Sequence, residues 1–355
     1  MENIIRNFDI DGQILYVEPL LGGLVNKTYL VATNKKKYLL QKINKYVFKN
    51  PVDVMMNIDK ITKHIKNKNE ITLNIIKSTN SNYYCYENEY YRMYDYLDNC
   101  CSIEKINNNL CTEIGKSVGK FQYLLYDYNP RELIETIYHF HHLPDRIKQL
   151  KESFDSLSND DIRKNEIIDL YQYIIKEAEN NYAIDEKIDN GLIPIRIVHN
   201  DTKLNNVMFN KNTMKAITLI DLDTVMPGTI LYDYGDMIRS NASISDENEK
   251  NLNIVKYNDE QFIALSIGYL SKMYDKLTYD EIKELVNAIG VITLECSCRF
   301  LTDYLNYDKY FRIEYEKHNK DRAFNQITLY KDFLNKKKRW KKLIMEIYHR
   351  LMINK

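Results

Sequence analysis

Apolar strands that deliver one polar loop to a common point constrain this chain more than any other feature. The stretch Ile197-Val198-His199-Asn200-Asp201-Thr202-Lys203-Leu204-Asn205-Asn206-Val207-Met208-Phe209 is followed, after a polar turn, by Ile217-Thr218-Leu219-Ile220-Asp221-Leu222-Asp223. Residues 195–198 read as a buried strand ending in a loop, and residues 207–209 and 217–220 read as two further apolar strands. Asn210-Lys211-Asn212-Thr213 supplies turn chemistry between them. Such a hairpin carries Asp201, Lys203, Asn206 and Asp221 to one end, close in space though distant in sequence.

Two carboxylates, an ammonium and an amide at one point are the groups that phosphoryl transfer from a nucleotide needs. Asp201 would orient or deprotonate the attacking hydroxyl, and Lys203 would sit on the transferring phosphate. Asn206 and Asp221 would hold magnesium, a hard ion that takes oxygen ligands. The spacing H-x-D-x-x-x-x-N recurs by chance in ordinary polar loops. The Lys two places after the Asp, and the apolar strand ending in a second Asp, also fit the catalytic loop and metal-binding Asp of protein kinases. Together they outweigh the plainer reading of a polar loop and a strand cap.

A chain of 355 residues exceeds one small core and suits two lobes. Its 50 Lys and Arg balance 50 Asp and Glu, so no global field favours nucleic acid or an anionic membrane. The 30 tyrosines belong to a drift toward Asn, Ile, Lys and Tyr along the whole chain, and do not by themselves mark an aromatic cage. Residues 1–7 lack the apolar core of a signal peptide, and no apolar run approaches membrane-spanning length. None of the six cysteines forms C-x-x-C. The expectation is a cytoplasmic protein with reduced thiols, no obligate protein partner and a small-molecule substrate.

Residues 13–40 read as a β-meander in which Gly22-Gly23 turns between strands and lets backbone N–H groups approach a phosphate. Asn26 and Thr28 stand where a nucleotide-covering loop wants small polar donors. Residues 51–67 read as a helix opened by Pro51, with Val54, Ile58, Ile61 and Ile65 on one face. Residues 71–76, 83–85 and 91–97 read as strands, and the backbone near Tyr94, Asp95 and Tyr96 would meet adenine. From Thr112 onward the period turns helical. Phe140-His141-His142 invites a metal, but no carboxylate or thiol is seen at ligand spacing, so a structural or substrate-pocket role is expected. Asp233 and Asp236 read as supports for the catalytic loop. Arg299 and Asp303 read either as an i,i+4 ion pair or as part of the acceptor pocket. The basic run Lys336-Lys337-Lys338-Arg339 reads as the wet side of a terminal helix.

These residues resemble the aminoglycoside phosphotransferase and choline kinase superfamily, and within it the N-acetylhexosamine 1-kinase group. The resemblance is carried by residues 22–28, 40–44, 91–96, 199–209, 220–228, 231–239 and 299–305. The segments Asp221-Leu222-Asp223-Thr224-Val225-Met226-Pro227-Gly228 and Arg299-Phe300-Leu301-Thr302-Asp303-Tyr304-Leu305 point to the hexosamine group. The resemblance implies an α+β, protein-kinase-like bilobal fold. A small antiparallel β-rich N-lobe (residues 1–97) would bind the nucleotide, and a large, mainly helical C-lobe (residues 98–355) would carry catalysis and the substrate. It implies ATP- and Mg²⁺-dependent phosphorylation of the anomeric hydroxyl of N-acetylglucosamine or N-acetylgalactosamine, with an aminoglycoside- or choline-type kinase, or an inactive kinase-like binding module, as rivals.

By that pattern Asp201 is the catalytic base with Lys203 beside it, and Asn206 and Asp221 are the magnesium ligands. Gly22, Gly23, Asn26, Thr28, Gln41, Tyr94, Asp95 and Tyr96 lie along the nucleotide. Arg299, Asp303 and Tyr310 contact the sugar, and Asp223 lies against metal or sugar. One departure stands out. Most of the superfamily holds the nucleotide phosphates with a Lys or Arg on the third strand. Gln41 occupies that place here, and alternation points Lys42 to the opposite face.

Overall fold

The alternating pattern of the first hundred positions closes into one antiparallel sheet beside a short helix, α1 (Glu2–Ile5). In the computed structural model, which describes residues 1–20, 25–79, 81–103 and 106–353, the sheet contains β1 (Ile14–Leu20), β2 (Lys27–Thr33), β3 (Lys37–Lys42), β4 (Ile75–Ile76), β5 (Tyr84–Tyr86) and β6 (Glu89–Asp95). Gly22 and Gly23 lie outside the described residues. The strand order is β1-β2-β3-β6-β4, with β5 hydrogen-bonded to β6. Val31, Tyr38, Leu40 and Met93 pack on one face with Ile4, Ile5 and Phe8. Gln41 stands directly opposite Thr28 on one side and Arg92 on the other. That register aligns three polar side chains across the sheet.

Only Ile75–Ile76 of the expected strand at 71–76 pairs with β6, opposite Tyr94 and Met93. Asn74 is held instead by its carbonyl, which accepts the Asp95 N–H at 3.0 Å, and by its side chain, which donates to the Asp95 carboxylate. Helix α2 (Pro51–Asn67) opens on Pro51 and buries Val54, Ile58, Ile61 and Ile65, as its period predicts. Its Asn57 is also buried. The Asn57 amide donates to Val225 O at 3.0 Å and Ile134 O at 2.7 Å, which fastens the helix to the chain beyond the catalytic loop.

The rest is mainly helical: α3 (Asn108–Leu124), α4 (Leu143–Ser156), α5 (Ile162–Asn165), α6 (Ile168–Glu179), α7 (Ala183–Asp189), α8 (Ile230–Asn241), α9 (Asp259–Met273), α10 (Tyr279–Leu305) and α11 (His318–Ile353). Two small sheets are set among them. One joins β7 (Cys100–Cys101), β9 (Val207–Asn210) and β10 (Ala216–Leu219); the other pairs β8 (Arg196–Val198) with β11 (Met226–Gly228). The hairpin expected from the sequence is therefore β9–β10, with Val207 opposite Leu219.

Helix α10 corrects one expectation. It is long and apolar enough to cross a membrane by length and composition, although most of that apolar window is buried inside the protein. A Thr278–Glu281 capping box starts it. The fully buried Glu281 also takes two hydrogen bonds from Arg196, at 2.8 and 2.9 Å, so the cap ties α10 to the strand that enters the catalytic loop. At the far end of the chain, Trp340 stacks on Phe262 at 3.9 Å and donates to Asp259, seating the apolar face of α11.

Helices α3 and α9 meet backbone to backbone. A Cβ on Gly115 would lie 2.1 Å from Leu265 O, and one on Gly268 would lie 2.2 Å from Thr112 O. Neither neighbour is a side chain that can turn away. Gly115→Ala should therefore force the helices apart and cost at least about 1–3 kcal/mol, the usual range for overpacking a tight core. Urea unfolding checks this, and an unchanged midpoint would contradict the crossing.

Candidate active site

Asp201 follows β8 on a loop whose backbone is fixed before its side chains act. The Asp233 carboxylate, at the start of α8, accepts the N–H of Asn200 at 2.7 Å and that of His199 at 2.9 Å. Gln122 donates to the same carboxylate at 3.0 Å, and Tyr269 braces Gln122 at 2.6 Å. One turn later Asp236 accepts the Thr202 N–H at 2.9 Å, and Arg239 holds Asp236 in turn at 2.8 Å. Burial alone would raise the Asp236 carboxyl pKa, but the Arg239 guanidinium outweighs it and lowers the value. Asp233 and Asp236 are thus supports of the loop, as expected from the sequence.

The second half of the site hangs from the first. His199 Nε2 lies 3.0 Å from Ile220 O, Asn200 Nδ2 donates to Thr224 O at 2.9 Å, and Ile220 N–H donates to Asn206 O at 2.8 Å. Asn200 and Asp221 both adopt left-handed backbone, at φ 64° and 59°. Non-glycine residues in that region are uncommon and mark sites where surrounding bonds over-determine the chain.

Asp201 Oδ2 receives Asn206 Nδ2 at 2.8 Å and Lys203 Nζ at 2.8 Å. The other carboxylate oxygen, Oδ1, takes no hydrogen bond among the described residues. Burial would lower the Lys203 ammonium pKa, but Asp201 and Asp221 outweigh it and raise the value. Asp221 is walled by protein yet open to a cavity. Enclosure, with the like charges of Asp223 and Asp201, raises its carboxyl pKa against the pull of Lys203 and Arg92. No described residue donates to the Asp221 carboxylate or to Asn206 Oδ1, so oxygen ligands from two residues lining one cavity are without protein partners. This donor set suits a divalent magnesium ion, whose charge would reverse the upward pressure on Asp221.

That cavity, of about 310 Å³, joins the sheet to the loop. Leu39, Tyr94, Asp95, Tyr96, Leu97 and Met208 line one end; Asp201, Lys203, Asn206 and Asp221 line the other. Thr28 and Gln41 lie between, with Gln41 Nε2 donating to Thr28 Oγ1 at 3.0 Å. Lys42 points away and pairs with Glu89 at 2.9 Å, as alternation predicts. The residue that sequence reasoning missed is Arg92. It is 1% exposed, lines the same cavity, donates from Nε to Gln41 Oε1 at 2.9 Å and forms an ion pair with Asp223. Its signal was an arginine set among Tyr91, Met93 and Tyr94 in the buried middle of β6.

Three expectations need correction. Asp223 faces neither metal nor acceptor: it is 2% exposed, with one oxygen on Arg92 and the other accepting Asn26 Nδ2 at 2.6 Å. Asn26 therefore braces Asp223, and its Oδ1 accepts the Asn44 N–H at 2.9 Å. Asp303 caps the loop after α10. Its carboxylate accepts the N–H groups of Tyr310 and Phe311 at 2.8 Å each and Asn319 Nδ2 at 3.0 Å. Arg299 pairs one turn back instead, with Glu295 at 3.6 Å.

On the far side of the catalytic loop lie two cavities that share Phe140. The larger, about 740 Å³, is bounded by Asn200, Met226, Pro227, Gly228, Tyr232 and Asp185, among others. The smaller, about 220 Å³, holds Arg299, Asp303 and Tyr310. Arg299 is sandwiched by aromatic faces, 4.7 Å from the Phe140 ring centre and 5.9 Å from that of Tyr310. Glu295 is fully buried and neither of its oxygens has a hydrogen-bond partner, yet Arg146 and Arg299 stand 3.6 Å away and His141 3.5 Å away. His141 in turn reaches Asn200 O at 3.3 Å, so the Arg299 pocket is mechanically connected to the loop bearing Asp201. A carboxylate does accompany the histidines after all. Asp145, one turn into α4, lies 2.7 Å from His139 Nδ1 and 3.4 Å from His142 Nδ1.

Asp185 generates a pH prediction. It is 4% exposed; Tyr232 donates to Oδ1, while Oδ2 is buried without a partner. Burial pushes its carboxyl from the ordinary 3.8 up to about 6. A folded-state value above the unfolded one means stability that is present in acid and lost as pH rises through that window. Relative to the unmutated protein, Asp185→Asn should gain about 2–3 kcal/mol between about pH 4 and about pH 8. Denaturant unfolding at the two pH values checks this, and a constant difference would contradict it.

Residues 17–265 match the family model described as the phosphotransferase enzyme family, APH. The fold is also that of solved structures of low identity. An aminoglycoside phosphotransferase from Alicyclobacillus acidocaldarius superposes with a TM-score of 0.62 at 12% identity, covering 98% of this chain and 96% of its own. A choline kinase from Cryptosporidium parvum gives 0.59 at 17%, covering 95% and 94%. A spectinomycin phosphotransferase in complex with ADP and spectinomycin gives 0.61 at 11%, covering 95% and 97%. With the match spanning most of its length and the site built as described, this chain belongs to the phosphotransferase enzyme family.

Proposed function

We propose that the protein is an ATP- and Mg²⁺-dependent kinase that phosphorylates the anomeric hydroxyl of an N-acetylhexosamine. In this reading residues 1–97 hold the nucleotide and residues 98–355 hold the sugar. One observation carries it. The two segments that resemble the hexosamine kinases both contribute to the acceptor side, Met226, Pro227 and Gly228 to the larger cavity and Arg299 and Thr302 to the smaller. The same side mixes Arg131, Glu135, Asp185 and Asp189 with three histidines, a polar lining that can hydrogen-bond a polyol. ATP use is supported by the apolar and aromatic lining that Leu39, Tyr94, Tyr96, Leu97 and Met208 give the cavity, and by the ADP bound in the spectinomycin phosphotransferase.

The chain's own residues define the chemistry. Asp201 Oδ1 takes the hydrogen of the acceptor hydroxyl, while Lys203 and Asn206 hold Oδ2 and aim the carboxylate. Lys203 also places a positive charge where the phosphoryl group passes. Asn206 and Asp221 would hold magnesium, which when bound neutralises charge on the nucleotide phosphates. An anomeric hydroxyl is more acidic than an ordinary alcohol, so a carboxylate base suffices.

Two measurements test this reading. Asp201→Asn should lower kcat by about 10²–10⁴-fold, the usual range for loss of a general base, with little change in nucleotide affinity. In a panel scored by ADP release, N-acetylglucosamine and N-acetylgalactosamine should be used, whereas their 1-O-methyl glycosides, kanamycin and choline should be inert. A site built on buried hydrogen-bond partners rejects analogues lacking them by up to about 10⁴-fold. Turnover of choline or kanamycin at the rate of the sugars would overturn the hexosamine assignment.

A further inference from the structure

No cation of β3 lines the nucleotide cavity, and a polyphosphate lying there calls for positive charge from side chains as well as from metal. Among the described residues only Arg92 and Lys203 bring positive side chains to its lining. Lys203 is committed to Asp201 at 2.8 Å, at the acceptor end. Arg92 sits midway, on β6, directly across the ladder from Gln41. Neighbouring strands lie about 4.8 Å apart, and arginine is the side chain that spans such a distance with donors to spare.

The local bonds look like a mount for that guanidinium. Thr28 Oγ1 accepts Gln41 Nε2 at 3.0 Å, Gln41 Oε1 accepts Arg92 Nε at 2.9 Å, and Asp223 accepts Arg92 Nη1. Asp223 is itself fixed by Asn26 at 2.6 Å. Two of the three guanidinium nitrogens are thereby held, and Nη2 makes no hydrogen bond to the described residues. A plainly structural salt bridge would not need its arginine to line the cavity, nor a glutamine from the neighbouring strand to orient Nε.

We propose that Arg92 is the phosphate-binding cation of this site, standing in from β6 for the missing cation of β3, with Gln41 and Asp223 as its positioning residues. The inference rests on the kinase reading above and is independent of which acceptor is used. Its ligand is the diphosphate of an adenine nucleotide, met by Nη2 in a charge-assisted hydrogen bond.

The test is calorimetric titration of MgADP and of adenosine, without any acceptor. Arg92→Gln alone would leave Asp223 buried and unpaired, so the informative comparison is D223N against R92Q/D223N, each checked for folding by thermal melting. R92Q/D223N should bind MgADP about 10–100-fold more weakly than D223N, the scale of one strong charged contact, while adenosine binds both equally. Arg92→Lys, which keeps the charge and loses the fork, should fall between the unmutated protein and R92Q/D223N. It decides the matter by the same MgADP-to-adenosine ratio should the double variant not fold. Equal MgADP affinity for D223N and R92Q/D223N, or an equal loss for adenosine, would overturn the role of Arg92 alone. Failure of the unmutated protein to bind MgADP would overturn the kinase reading with it.

Discussion

The pair of backbone N–H bonds that His199 and Asn200 give to the Asp233 carboxylate is the contact on which the rest of the cleft depends. A buried carboxylate is costly unless its oxygens are satisfied, and Asp233 is satisfied by the loop it must fix and by Gln122. Because Tyr269 holds Gln122 from α9, the position of Asp201 is set by the crossing of α3 and α9. That crossing is close because Gly115 and Gly268 have no side chains. Core packing is thus carried without a flexible link to the reacting carboxylate.

The cleft has two sides with different electrostatic designs. Toward the sheet, Thr28, Gln41, Arg92, Asp223 and Asn26 form one continuous row of hydrogen bonds that spans the strands and reaches the turn after Asp221. Toward the helices, Glu295 gathers His141, Arg146 and Arg299 around a carboxylate without hydrogen bonds among the described residues, and burial is opposed chiefly by the Arg299 guanidinium so that its pKa is lowered. The two rows meet around Asp201 at Asn200 and Asp221, both of which have left-handed backbone.

What was legible in the sequence was whatever is decided locally. Helix α2 begins and ends where Pro51 and its apolar period place it, and β9–β10 is the hairpin that its turn residues demand. Asp201, Asn206 and Asp221 converge because one short hairpin links them. Side-chain partners across the fold were not legible. Asn26 and Asp223 are 197 residues apart, and each was assigned to a ligand because its true partner could not be seen. Asp303 was read as a partner of Arg299 or as part of the acceptor pocket, but its carboxylate is taken up by two backbone donors of the following loop and by Asn319 of α11. Arg92 escaped notice because register, a property of the folded sheet, is what sets it beside Gln41. Helix α10 shows the converse error: no apolar run was expected to approach membrane-spanning length, yet this largely buried helix does so by length and composition.

The central claim is that acceptor and nucleotide meet at Asp201 with the anomeric oxygen of an N-acetylhexosamine foremost. A two-dimensional ³¹P–¹H spectrum of the product formed from N-acetylglucosamine, MgATP and this protein tests it most directly. The account predicts an acid-labile monophosphate whose phosphorus couples to H1. Phosphorus coupled to the H6 protons, or no sugar phosphate at all, would contradict it.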